Sequence, residues 1–285
     1  MTMRSPLSFE FFPTKTAEGH RKLAATRAQL SQFQPEFFSC TYGAGGSTKE
    51  GTLQTIRDIL AEKRVSAVPH LACIGSSSQE IQDLLSVYDE LGIRELICLR
   101  GDLPSGVGET SGFNNAYELI SFLKNRYTTR FKLIVAAYPE VHPQAKNAQN
   151  DIDYFVMKCH AGADKAITQY FYNIDAYFYF MEAIEAKGLS LPIIPGIMPI
   201  YSFNKLTRFS ERCGAEIPRW LRLRLQSYAD DTASIRALGL DFVTSLCERL
   251  LNQGAPGLHF YTLNQAGLVS TICERLGFQQ NTLKQ

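Results

Sequence analysis

Glu10 is a carboxylate set in an aromatic, apolar segment, Ser8-Phe9-Glu10-Phe11-Phe12-Pro13. Strand periodicity puts Leu7, Phe9 and Phe11 on one face and Ser8, Glu10 and Phe12 on the other. A charge in this setting is costly to desolvate unless it is paired or put to use. Burial is expected to raise its pKa toward neutrality, where a carboxyl can move protons. The plain alternative is a strand-end Glu that reaches solvent or an arginine.

Polar groups recur where later strand-like runs end. Leu96-Ile97-Cys98-Leu99-Arg100-Gly101-Asp102 delivers two opposite charges around a glycine, which reads equally as a ligand site or a local Arg–Asp pair. Gly106 and Gly108 follow, the mark of a mobile loop. Val135 through Pro143 leaves a strand on small residues and presents Tyr138 and His142 between prolines, which give the loop a defined shape. A lone His is usually structural; its pairing with Tyr138 strengthens His142 as a candidate. Ala161 through Gln169 ends a short strand on an amide that both donates and accepts, suited to a polar ring edge or to a simple strand cap. Thr41-Tyr42-Gly43-Ala44-Gly45-Gly46-Ser47-Thr48 is a glycine-rich turn able to offer free amides to a phosphate or ring carbonyl. It lacks both GxGxxG and GK[ST], so a tight turn without a ligand accounts for it as well.

Composition narrows the function classes. Of 285 residues, 45% are hydrophobic and 20% charged, which describes an ordinary globular protein with a large core. A net charge of +1 without long Lys or Arg runs offers no field for nucleic acid. No apolar run approaches the ~18 residues that span a bilayer, and the first residues lack an apolar signal core. A cytoplasmic address without membrane attachment is the expectation. Cys40, Cys73, Cys98, Cys159, Cys213, Cys247 and Cys273 are widely spaced without a CxxC pair, which points to reduced thiols. Cys159 and His160 are adjacent but lack the other ligands of a zinc site, so no metal is expected.

The elements that must position these groups alternate between strand and helix signals, the pattern of βα units around a parallel sheet. Strand-like runs fall near 7–12, 36–40, 67–72, 94–99, 131–137, 164–168, 192–197 and 256–261. Ser47 with Glu50, Ser77 with Glu80, and Asn115 with Glu118 have the spacing of helix amino-terminal caps. Eight strands predict one (β/α)8 TIM barrel over 1–285, an α/β fold, with extra helices filling the gap before the last strand. An open doubly wound sheet is the alternative. In a barrel, chemistry collects where strands end. That rim would hold Glu10, Thr41, Tyr42, His70, Arg100, Gly101, Asp102, Tyr138, Gln169 and Tyr261.

Together Ser8–Pro13, Thr41–Ala44, Pro69-His70-Leu71, Leu99–Leu103, Val135–Pro143, Ala161–Gln169, Ile193–Pro199 and His259–Asn264 resemble the methylenetetrahydrofolate reductase family, in its compact bacterial form without a regulatory domain. The resemblance implies a barrel carrying non-covalent FAD at the strand carboxyl ends. It implies reduction of 5,10-methylenetetrahydrofolate to 5-methyltetrahydrofolate by NAD(P)H, in ping-pong turnover through the flavin N5. Carried over by position, Glu10 matches the proton donor, Asp102 the carboxylate near flavin and pterin, and Gln169 the amide that meets folate and nicotinamide in turn. Thr41 lies beside the same face, and Phe209 matches an aromatic against which either substrate packs. Tyr42, Ala44, His70, Arg100, Gly101, Ala116, Tyr138, His142, Ala145, Asp151 and Lys158 match FAD-contacting positions. Tyr261 joins the substrate side.

The chain departs from the family pattern at four places. Tyr154 and Met157 stand where Asn and Arg are common, which removes a polar contact and a cation beside FAD. Gln265 replaces a common Arg near the folate tail, and Lys205 stands where some members have Gln. A non-catalytic folate-binding relative with an impaired FAD site is therefore the competing expectation. The choice of NADH or NADPH and the oligomeric state, a homo-oligomer included, are not legible.

Overall fold

The computed structural model describes residues 5–42, 49–101 and 112–280. Its strands follow the alternating pattern closely: β1 (Leu7–Phe11), β2 (Phe37–Cys40), β3 (Ser66–Ala72), β4 (Glu95–Leu99), β5 (Lys132–Ala137), β6 (Lys165–Thr168), β7 (Ile193–Ile194), β8 (Gly196–Ile197) and β9 (Leu258–Tyr261). All pair in parallel. The side-chain period of two splits each strand between two apolar layers. Phe9, Phe11 and Phe38 face outward, where Phe11 meets Phe38 edge-on at 5.1 Å and Phe9 stacks on Phe260 at 5.8 Å. Phe37, Val68, Ile97, Ile134, Ile167 and Ile194 fill the interior. That interior is a packed plug beneath the rim.

The seventh stave is interrupted, which corrects the expected continuous strand over 192–197. Pro195 lacks the N–H that a ladder needs, and the stave divides there into β7 and β8. Its first half pairs with Ala166 and Ile167 of β6, and its second half pairs with His259 and Phe260 of β9. The Pro195 carbonyl itself accepts the His259 N–H at 3.1 Å. The sheet therefore runs β7-β6-β5-β4-β3-β2-β1-β9-β8 and closes through this broken stave. Nine segments make eight staves, and the open-sheet alternative is excluded.

The crossover helices are α1 (Ala17–Ser31), α2 (Lys49–Ala61), α3 (Ser78–Glu90), α4 (Ala116–Tyr127), α5 (Ala148–His160) and α6 (Ile174–Ala186). Ser77 and Glu80 form a reciprocal capping box, and Asn115 caps α4 through the Glu118 N–H at 3.0 Å. Ser47 lies outside the described residues. Three helices occupy the expected gap before the last strand: α7 (Phe203–Cys213), α8 (Arg219–Ser227) and α9 (Thr232–Asn252). Finally α10 (Gly267–Arg275) follows β9.

Candidate active site at the carboxyl rim of the barrel

Glu10 enters the barrel mouth with two imidazoles around it. Its Oε2 lies 3.1 Å from His70 Nε2 and 3.5 Å from His259 Nε2. Both nitrogens are buried, and among the described residues neither makes a hydrogen bond, so each contact is an electrostatic one. Register explains the convergence. Ser8 pairs with His259 and Glu10 with Ser39, so β9 sets one imidazole beside β1. The other comes from β3, and the residue between, Ser39, is small enough to leave the path open. Ser8 Oγ then meets His259 Nδ1 at 2.8 Å, which extends the chain of polar groups into the core.

The backbone under Glu10 is pinned as well. Thr262 Oγ1 donates to the Glu10 carbonyl at 2.6 Å. The Asn264 side chain brackets Phe12, accepting its N–H at 3.0 Å and donating to its carbonyl at 2.8 Å. Ser8, His259, Thr262 and Asn264 fall in segments that carry the resemblance, but sequence alone assigns none of them a site role. The visible signal was His259 sharing the inward parity of a strand that ends in Tyr261.

Burial opposes ionisation of Glu10, as expected, but electrostatic attraction to the His70 and His259 rings outweighs it and holds the carboxyl down at about 2. The expectation of a pKa raised toward neutrality is thus overturned by the paired rings. His259 is pushed below its ordinary value by burial, against the pull of Glu10. An anion between two imidazoles can take up and release a proton without leaving its place.

A second group gathers around the exit of β5. Tyr138 and His142 meet edge-on at 4.5 Å. The His142 N–H donates to Asp151 Oδ2 at 2.8 Å, and its Nδ1 accepts the Gln144 N–H at 3.1 Å. The Ala145 N–H closes the turn onto the His142 carbonyl. Lys158 is buried on α5, donates to the Ala136 carbonyl at 2.5 Å, and forms no ion pair among the described residues. Its ammonium lies 5.5 Å from the Tyr154 ring, and burial lowers its pKa to about 8. A buried cation held by one carbonyl is a site prepared for an anion. Arg100 folds its Nε onto the Gly101 carbonyl at 3.2 Å. Gly101 has φ +86°, and a Cβ there would approach Ala72 Cβ at 2.9 Å, so the chain can turn here only on glycine. Ala116 opens α4 beside them, and the Tyr154 hydroxyl accepts the Tyr117 N–H at 3.4 Å. Tyr154 thus supplies a polar contact of its own, while Met157 is exposed. This donor set fits FAD: a buried cation for the pyrophosphate, a His–Tyr pair, and a glycine that permits close approach.

The opposite side of the mouth is closed by Tyr261, whose hydroxyl donates to the Thr168 carbonyl at 2.7 Å. Gly196 lies beneath, where a Cβ would stand 2.1 Å from Thr168 O and 2.6 Å from the Tyr261 ring. Gln169 follows Thr168 and turns its carbonyl oxygen to the Tyr170 N–H at 3.0 Å. Thr41 Oγ1 is buried without a hydrogen-bond partner among the described residues. Lys205 and Phe209 line one cleft with Tyr201 and Leu263. Gln265 is exposed, and Tyr201 holds its carbonyl at 3.1 Å. Asp102 and Ala44 lie outside the described residues. A cavity of about 320 Å³ beside Trp220 and Arg249 contains none of the expected site residues. Concavity alone does not find this site.

Known proteins are similar to this chain along most of its length. A family model described as methylenetetrahydrofolate reductase matches residues 2–277. The chain is 36% identical over 270 residues to a 5,10-methylenetetrahydrofolate reductase of Buchnera aphidicola subsp. Schizaphis graminum, covering 95% of this chain and 91% of the relative. It is 36% identical over 271 residues to the Escherichia coli (strain K12) protein of that name, covering 95% and 90%. Against methylenetetrahydrofolate reductase (NADH) 1 of Arabidopsis thaliana it is 34% identical over 274 residues, which is 92% of this chain and 46% of that one. In fold it resembles a solved structure described as an uncharacterized protein from Clostridium thermocellum that binds two copies of 5-methyl-5,6,7,8-tetrahydrofolic acid. That likeness has a TM-score of 0.68 at 16% identity and covers 96% of each chain.

Proposed function

The chain belongs to the methylenetetrahydrofolate reductase family, and from that premise we propose that it reduces 5,10-methylenetetrahydrofolate to 5-methyltetrahydrofolate with FAD and NAD(P)H. The observation that carries this reading is the Glu10 carboxylate between His70 and His259 at the barrel mouth. Bound FAD would supply the hydride carrier, reduced by the nicotinamide in one half-reaction and reoxidised by the folate in the other.

Lys158 and Arg100 would neutralise the pyrophosphate and ring carbonyls, and Tyr42, Ala44, His70, Gly101, Ala116, Tyr138, His142, Ala145 and Asp151 would complete the cofactor cradle. Opening the methylene bridge of the folate needs a proton at the departing nitrogen. Glu10, ionised at rest, would relay it: a proton taken up from solvent at the open mouth would pass through its carboxyl to the nitrogen, while the flanking imidazoles hold the carboxylate in place. Asp102 would stabilise the cationic iminium electrostatically. Gln169, Thr41, Phe209, Lys205, Tyr261 and Gln265 would hold the two substrates in turn on one face, which requires alternating occupancy.

The experiment is an anaerobic spectrum of the purified, FAD-loaded protein. NADH or NADPH should bleach the flavin band, and methylenetetrahydrofolate should restore it. A protein that takes up no FAD, or whose reduced flavin ignores folate, would refute the reading.

A further inference from the structure

The loop after β5 carries a carboxylate that the proposed chemistry does not use. Glu140 stands between Tyr138 and His142 in sequence, yet its Oε2 accepts the N–H of Glu216 at 2.7 Å, far along the chain between α7 and α8. Its Oε1 is buried and has no hydrogen-bond partner among the described residues. Burial pushes this carboxyl up to about 7; the Glu216 N–H opposes the rise and the Glu216 charge adds to it. Tyr170 and Cys213 are the other titratable groups nearby. A carboxylate retained against its own desolvation calls for a reason.

Two further contacts run between the same elements. Gly214 ends α7 with φ +74°, and a Cβ there would lie 2.8 Å from Pro143 Cγ, so helix end and loop touch directly. The Tyr170 hydroxyl, just beyond β6, bonds Ser210 Oγ on the last turn of α7 at 2.9 Å. The carboxyl end of α7 is therefore fastened to the exits of β5 and β6. On the same helix, Lys205 and Phe209 are four residues apart, share one face, and line the cleft beside Leu263.

We propose that Glu140 is a positioning residue, a clamp that sets the substrate-side helix α7 against the loop bearing Tyr138 and His142. The consequence for substrate rests on the functional reading above; the clamp itself does not. Both the flavin-side pair and the substrate-side aromatic would then move together, and loosening one would blur the other.

Hydrogen exchange of the segment 209–219, followed by mass spectrometry, tests the clamp directly. In the wild type the Glu216 amide should be protected although its side chain is exposed. Glu140→Ala should speed its exchange about tenfold, while Glu140→Gln, which keeps an acceptor oxygen, should retain most of the protection. In steady-state assays Glu140→Ala should raise KM for folate and for the nicotinamide roughly three- to tenfold and weaken FAD binding by a similar factor, with kcat of the FAD-saturated enzyme nearly unchanged. Unprotected Glu216 in the wild type would overturn the clamp even if the alanine variant failed to fold. Unchanged exchange in Glu140→Ala would do the same. A wild type inactive on folate would overturn the functional reading alone, and exchange would still decide the clamp.

Discussion

His70 and Glu10 come from strands that are not neighbours, yet their side chains meet at 3.1 Å across the inner wall of the barrel. The pair keeps a carboxylate ionised in a place where burial alone would neutralise it. If this carboxylate relays the proton needed by folate, Glu10→Gln should leave flavin reduction by nicotinamide within about twofold of wild type. It should slow the folate half-reaction by about 10²–10⁴-fold, the usual worth of a positioned acid or base. Separate stopped-flow measurements of the two half-reactions check this; equal losses in both would remove the role.

Acid stability follows from the same pair. The folded pKa of Glu10 is about 2 against an ordinary 4.5, so its contribution is present above 4.5 and disappears as pH falls through 2. The difference amounts to about 3 kcal/mol. Urea midpoints of wild type and Glu10→Gln, compared between pH 2 and 6, should differ most at the upper end and draw together at the lower.

Glu140 has the opposite sign. Its folded pKa is about 7, so the folded state binds a proton that the unfolded chain has already released above 4.5. Its contribution to stability is therefore largest below 4.5 and declines as pH rises through 7. Glu140→Gln should consequently melt higher than wild type at pH 8 and show no such advantage at pH 4.5. Calorimetry at the two pH values decides it.

Lys158 should separate stability from cofactor binding. Burial penalises its ammonium and brings the pKa down to about 8, yet below that pH the group stays charged, and the charge weighs against the apoprotein. Lys158→Met should raise the melting temperature of apoprotein at pH 7, because an apolar side chain of similar length replaces a desolvated cation. FAD affinity should fall roughly 10–100-fold, the worth of a charge-assisted hydrogen bond. Fluorescence titration with FAD alongside thermal melts gives both numbers; a stable variant with unaltered affinity would take Lys158 out of the cradle.

Gly196 admits no side chain. A methyl group there would stand 2.1 Å from the Thr168 carbonyl, which Tyr261 uses to bridge the mouth. Gly196→Ala should cost about 1–3 kcal/mol by denaturant unfolding, as overpacking does. An unchanged midpoint would mean that the bridge has room to shift.

Local pattern was enough for much of this molecule. Period-two runs marked every stave within a residue or two, and the S-x-x-E spacing at Ser77 marked a true capping box, because both features depend on neighbours in the chain. Tyr138, Gln169 and Tyr261 lie at or just past the ends of those runs, whereas His70, expected to close the third strand, sits inside β3, two residues before its end. Tertiary structure decided what contact across staves decides. Pro195 breaks the seventh stave, and pairing on its two sides closes the barrel. The inward parity of Ser8 and His259 became a hydrogen bond only when β1 and β9, some 250 residues apart, lay side by side in register. Glu10 was readable as a buried carboxylate, but its ionisation depended on imidazoles from two other strands. No spacing along a chain reports a distance across a barrel.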